Sequence, residues 1–158
     1  MVTYSTLDWT PLKFGKHEGK TLPQIVLNDP DWFFWALAVG IFHEPQDFEA
    51  HLIGCRARSI IIPKPDPENW RVEYYFSLDD KFSGFSIVKA EIAGIESGKC
   101  QISSHLDLSY PRQSRPYDKL GNKMMLKSFK HYYFGGSNLT KEKCENFFYR
   151  RENFVRAH

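Results

Sequence analysis

The segment Gly15-Lys16-His17-Glu18-Gly19-Lys20-Thr21 falls one residue short of a phosphate-binding loop. Such a loop needs four residues between its first glycine and its Gly-Lys-Ser/Thr end, and it follows a buried central strand. Here three residues intervene, Glu18 would set a carboxylate inside the phosphate cradle, and Pro11 confines the preceding segment to a sheet edge. Nucleotide hydrolysis is therefore excluded. Lys16 and Lys20, on either side of the turn, remain candidates for contact with phosphate.

A second constellation, Glu73, Glu91, His105 and Asp107, has the ligand types of a Mg²⁺-dependent nuclease. His105 and Asp107 share a strand face by period two, and Glu73 and Glu91 fall on neighbouring strands. The same alternation occurs in any half-exposed antiparallel sheet, and no spacing among the four matches a nuclease motif. No catalytic residue, metal ligand or cofactor is assigned from them. His43-Glu44 lacks the second histidine of a zinc-binding helix, and His17 is read as a solvated turn residue.

The third pattern is basic. Placed at 100° per residue, Lys119, Lys123, Lys127 and Lys130 fall within about 80° of one another, opposite Met125, Phe129, Tyr132 and Tyr133. Lysines one helical turn apart, about 5 to 6 Å, can follow a phosphate backbone. Arg112 and Arg115 come just before them. Residues 1–100 hold ten Lys and Arg against fourteen Asp and Glu, net −4, whereas residues 101–158 hold eleven against five, net +6. The basic C-terminal third implies an anionic partner.

Elements that could position these groups follow from local signals. Residues 9–21 predict a small β-hairpin turning at Gly19, and Leu22–Leu27 a short helix with Pro23 in its first turn. Asp29 and Pro30 predict an N-cap and first position for a helix ending at Gly40. Its four consecutive rings, residues 32–35, surround it on most sides, so at least one must face solvent or a partner. A further helix over 45–53 is expected to close at Gly54. Arg58–Ile62, Trp70–Leu78, Gly84–Ile95 and Cys100–Leu108 read as strands, the last two joined by residues 96–99, giving a four-stranded antiparallel meander. Helices over 117–134 and from Lys141 to about Arg151 complete the chain. The fold class is thus α+β: an N-terminal β-hairpin with short helices (1–55), then a four-stranded antiparallel sheet and two C-terminal helices (56–158), expected to share one compact unit.

The spacing Phe-Gly-Lys-x-x-Gly-Lys-x-Leu, followed by Asp-Pro-x-aromatic-x-x-Trp-x-Leu, resembles the small C-terminal module of exodeoxyribonuclease X-like proteins. It also resembles the related quorum-sensing-regulated virulence factor family. Phe14, Gly15, Lys16, Gly19, Lys20, Leu22, Asp29, Pro30, Trp32, Trp35 and Leu37 occupy the matching positions. Trp32 stands where tyrosine is commoner, and the module here leads the chain instead of following a nuclease. In that family the module accompanies DNA-processing enzymes, so the resemblance implies nucleic-acid association without catalysis. On that basis Trp32 and Trp35 become candidates for stacking on bases beside Lys16 and Lys20.

Composition supports a folded, non-membrane chain. Apolar residues make up 42% and charged ones 25%, no apolar run reaches the roughly 18 residues of a membrane span, and no signal-peptide pattern opens the sequence. Cys55, Cys100 and Cys144, odd in number and widely spaced, are expected as buried free thiols in a reducing compartment, hence the cytoplasm. The reading is a non-catalytic nucleic-acid-binding accessory protein, with DNA the expected partner. It would use Lys16, Lys20, Trp32, Trp35, Arg112, Arg115, Lys119, Lys123, Lys127 and Lys130. The alternatives are a phage- or mobile-element-type interaction factor or inhibitor that docks on a nucleic-acid-processing complex, and, third, a metal-dependent nuclease.

Overall fold

A computed structural model describes residues 9–95, 100–114 and 118–155. It is mixed α and β: α1 (Leu22–Asn28), α2 (Pro30–Val39), α3 (Gln46–Ala57), β1 (Ile60–Ile61), β2 (Trp70–Phe76), β3 (Phe82–Lys89), β4 (Cys100–Ser103), β5 (His105–Leu106), α4 (Tyr110–Ser114), α5 (Lys119–Phe134) and α6 (Lys141–Tyr149). Among the described residues no helix is long and apolar enough to cross a membrane.

α1 is the hub. Leu22, Pro23, Ile25, Val26 and Leu27 are all buried, because the helix is enclosed by α2, α3 and α6. The Thr21 hydroxyl donates to Glu145 Oε2 on α6 at 2.7 Å, which ties the start of the chain to its end. The same core continues through Tyr74 and Phe85 of the sheet to Met125 and Phe129 of α5 and Phe148 of α6.

The helix signals of the sequence are largely realised. Asp29 caps α2, Pro30 opens it, and Gly40 closes it in the left-handed region. α5 is capped by Asp118 and closed by Gly135, and its start at 117 in the sequence reading lies outside the described residues. α6 is capped by Thr140 and stops at Tyr149, followed by a 3-10 turn over Arg151–Asn153.

Five expectations are corrected. Residues 9–21 form no paired strands: they make a loop closed at its base by Leu12 N–H to Lys20 O (2.9 Å) and Gly19 N–H to Leu12 O (2.7 Å). Its interior bonds are turns, Glu18 to Gly15 O and Lys20 to His17 O, because positive φ at Gly15 (76°) and Gly19 (84°) curls the chain. α3 does not end at Gly54 but runs through it. A Cβ there would sit 2.7 Å from the Leu37 side chain, so this glycine allows close helix packing and serves no cap.

The four-stranded meander is instead a three-stranded antiparallel sheet, order β3-β2-β4, and a separate two-stranded pair, β1-β5. The chain bends at Ser104, so Leu106 and His105 leave β2 and pair with Ile60 and Ile61. Tyr74 holds this break: its buried hydroxyl donates to His105 O at 3.2 Å and accepts from Asp107 N–H at 2.9 Å. Residues 90–92 form a 3-10 turn where strand was expected; residues 96–99 lie outside the described residues. Lastly, Cys144 is buried, with its thiol pushed up to about 11 by burial, whereas Cys100 is half-buried and Cys55 is exposed on α3.

Candidate nucleic-acid interface

The site begins with the first turn of α2, whose backbone N–H groups need acceptors. Pro30 has no N–H to satisfy. The Asp31 N–H donates to Asn122 Oδ1 (3.1 Å), and the Trp32 N–H donates to Asp29 Oδ1 (3.3 Å). Asn122 also donates to Asp29 Oδ1 at 3.1 Å. One α5 side chain therefore completes a helix cap more than ninety positions earlier, and pins the start of α5 against α2.

Asp29 gathers the loop as well. Lys16 Nζ lies 3.1 Å and His17 Nε2 3.0 Å from Asp29 Oδ2. Burial by itself would raise the Asp29 carboxyl; donation from Lys16, His17 and the Trp32 N–H outweighs it and holds Asp29 below its ordinary 3.8. His17 is buried, not solvated as expected, with its ring edge-on to Trp32 at 4.9 Å. Burial pushes its imidazole below 6.5 against the pull of Asp29. Its Nδ1 has no partner, so the neutral ring with the proton on Nε2 fits this pocket better than a buried cation.

These contacts frame a cleft of about 590 Å³ lined by Lys16, Asn28, Asp29, Asp31, Trp32, Trp35, Lys119 and Asn122. Phe33 and Phe34 turn into the core, whereas Trp32 and Trp35, one helical turn apart, are half-buried along the cleft with ring centroids 6.3 Å apart. The requirement that some ring of residues 32–35 face outward is met by these two. Both cleft carboxylates are compensated: Asp29 by Lys16, and Asp31 by Arg112 at 3.3 Å. Lys119, which also lines the cleft, makes no ion pair among the described residues.

Thus Lys16, Trp32, Trp35 and Lys119, drawn from two distant parts of the sequence, share one site. Lys123 and Lys127 continue from Lys119 along the exposed face of α5, Lys130 is half-buried at its far end, and Met125 and Phe129 fill the opposite face. Lys20 is exposed but does not line the cleft. Arg112, on α4, serves Asp31 of α2, and Arg115 lies outside the described residues. Asn28 and Asn122 carry no functional signal in the sequence, whereas Asp29 and Asp31 read there as the cap and the first-turn acid of α2, Asp29 also as a position of the family resemblance. The acidic signals at 29 and 31 were visible, but nothing local reveals that Asn122 meets them.

The metal-type residues are not gathered into a site. Glu73 is buried and accepts from the Tyr75 hydroxyl (2.8 Å) and the Gly94 N–H (2.7 Å). Glu91 is exposed in the 3-10 turn, and Asp107 Oδ1 accepts from Ser109 N–H and Oγ. Among the described residues no group of three or more His, Cys, Asp or Glu is placed to hold a metal ion.

No family model, curated protein or solved structure matches the chain at significance.

Proposed function

We propose that this α+β chain is a non-catalytic nucleic-acid-binding accessory protein of the cytoplasm, with DNA its expected polymer. The observation that carries the reading is the shared cleft. Two half-buried tryptophans line it together with Lys16 and Lys119, and the positive face of α5 continues from Lys119 through Lys123 and Lys127. Because Asp29 and Asp31 are neutralised within the site, the cleft presents rings and amides to an incoming strand instead of a repulsive carboxylate surface. The phosphates would follow α5, giving an affinity that is salt-dependent and weakly sequence-selective. The resemblance of residues 14–37 to modules that escort DNA-processing enzymes points the same way. The test is a binding titration with labelled oligonucleotides at low and physiological salt, using wild-type protein and a Lys119→Glu, Lys123→Glu, Lys127→Glu variant. Salt-sensitive binding that the charge reversal abolishes supports the reading; salt-insensitive binding, or none, refutes it.

One other observation favours the alternative, an interaction factor or inhibitor of the phage or mobile-element type acting on a nucleic-acid-processing complex. Ile102 lies beside Gly94 on the sheet, with Ile92 and Ile95 exposed close by in sequence, and Phe48 stands 71% exposed on α3. Exposed apolar groups of this kind are suited to protein docking. A partner that survives nuclease treatment of a lysate and is lost on Ile102→Asp substitution would favour that reading.

A further inference from the structure

Building on the nucleic-acid reading, we infer that the cleft takes an unpaired base of a single-stranded polynucleotide, and that the protein discriminates against duplex. Trp32 is fixed from two sides, by His17 edge-on at 4.9 Å and by Phe42 at 6.2 Å. Trp35, half-buried, has only Trp32 as a ring neighbour among the described residues. Both rings line the cleft, and Trp35, held by fewer rings than Trp32, is the platform assigned to a stacked base.

A base can stack on that platform only if its own face is uncovered. In a duplex each base is paired and stacked, and must be extruded before it can enter a recessed site. A single strand meets no such barrier, and stacking on an aromatic ring tolerates any base. The cleft lies between the loop, α2 and α5, and its volume of about 590 Å³ falls in the range of pockets that enclose a small ligand, the size class of a single base.

The charges extend the same fit. Lys119 stands on the cleft wall, and Lys123 and Lys127 follow at intervals of about 6 Å along the helix axis. A strand whose base lies against Trp35 can run its neighbouring phosphates over these three lysines. Duplex can still meet the lysines on its outer backbone, but it gains nothing from the tryptophans. The tryptophans therefore set the preference for strand form, and the lysines set the affinity common to all nucleic acid.

The experiment measures the affinity of the full chain for labelled 15-mer oligo-dT, 15-mer oligo-rU and a duplex of equal length, by fluorescence anisotropy at one fixed salt concentration. The expected result is single strands bound at least about tenfold tighter than duplex. Trp35→Ala should remove that margin and leave duplex affinity within about twofold. A second readout does not depend on the alanine variant folding: oligo-dT should quench wild-type tryptophan fluorescence, and Trp35→Phe should lose most of that quenching while retaining most of the affinity. Comparison of oligo-dT with oligo-rU separates a DNA strand from an RNA strand. Equal or tighter duplex binding, or a single-strand margin unchanged by Trp35→Ala, overturns this inference and leaves phosphate-directed binding standing. No binding to any of the three polymers overturns both.

Discussion

Two regions of this protein are rich in aromatic rings and use them in opposite ways. Between α5 and α6, Phe129, Tyr133, Phe147, Phe148 and Phe154 interlock, with Phe147 edge-on to Phe129, Phe148 and Phe154 at 5.5 to 5.6 Å. Phe129 and Phe148 are fully buried, and few polar groups intrude: Tyr133 satisfies its hydroxyl on Ile61 O at 3.0 Å. At the cleft, Trp32 and Trp35 are half-buried; His17 and Phe42 pack against Trp32, and the cleft also holds Asp29, Asp31 and Asn122, which are bound to one another or to Lys16 and Arg112. Ring content alone does not separate a core from a surface. The difference lies in what else surrounds the rings: chiefly further rings in one case, and in the other a network of ion-paired and capping polar groups, with Lys119 outside any ion pair among the described residues.

That contrast predicts separable effects of mutation. The largest falls on stability in the aromatic core. Phe148→Ala should cost about 3 to 5 kcal/mol in urea unfolding, since a filled apolar site would be left as a cavity. Binding per folded molecule should not change.

Next comes Asp29→Ala, which joins the two regions' roles. It removes the cap of α2 and the partner of Lys16, His17 and Asn122, so a loss of about 2 kcal/mol is expected. Nucleic-acid affinity should fall as well, because Lys16 is released from the cleft. A variant that loses neither would mean the polar network does not hold the site.

Acid should act through the same network. His17 is depressed in the fold, so below its ordinary 6.5 the unfolded chain takes up a proton that the folded chain resists. Stability contributed by the neutral ring is therefore present above about pH 6.5 and declines as pH falls through the window beneath it. Asp29 adds a second decline in the same direction, starting below 3.8 and complete once pH passes its lowered folded value. Unfolding measured from pH 7.5 to 5.5 should show the first decline in wild-type protein and a flatter profile in His17→Gln. Identical slopes would remove His17 from the account.

The smallest stability effect belongs to the lysine face. Lys123→Glu with Lys127→Glu should change unfolding free energy by no more than about 0.5 kcal/mol per site, since both are exposed.

Much of this organisation is legible along the chain, and the reason is locality. Asp29-Pro30, Gly40, Thr140 and Gly135 mark helix ends by chemistry confined to a few residues, and the structure honours them. The two faces of α5 are equally local, being set by a period of 3.6. What escapes is long-range. His17 reads as a solvated turn residue until the loop folds it onto Asp29, and Asn122 gives no hint that it caps α2. Gly54 looks like a stop because its contact, Leu37, lies on another helix. Cys100–Leu108 carries the pattern of a single strand, and only the two bonds of the Tyr74 hydroxyl reveal that it breaks at Ser104 and divides between two sheets. Of the proposed contacts, Lys16, Trp32, Trp35 and Lys119 meet in one cleft, but their convergence is a property of tertiary packing.

The most direct test of the central claim is the salt dependence of affinity for a single-stranded 15-mer. If Lys119, Lys123 and Lys127 each neutralise a phosphate, the logarithm of the binding constant should fall with the logarithm of salt concentration with a slope of about −2 from these three contacts. Reversal of all three charges should remove that contribution. A slope near zero in wild-type protein, or one that survives the triple reversal unchanged, would contradict the assignment of this face to nucleic acid.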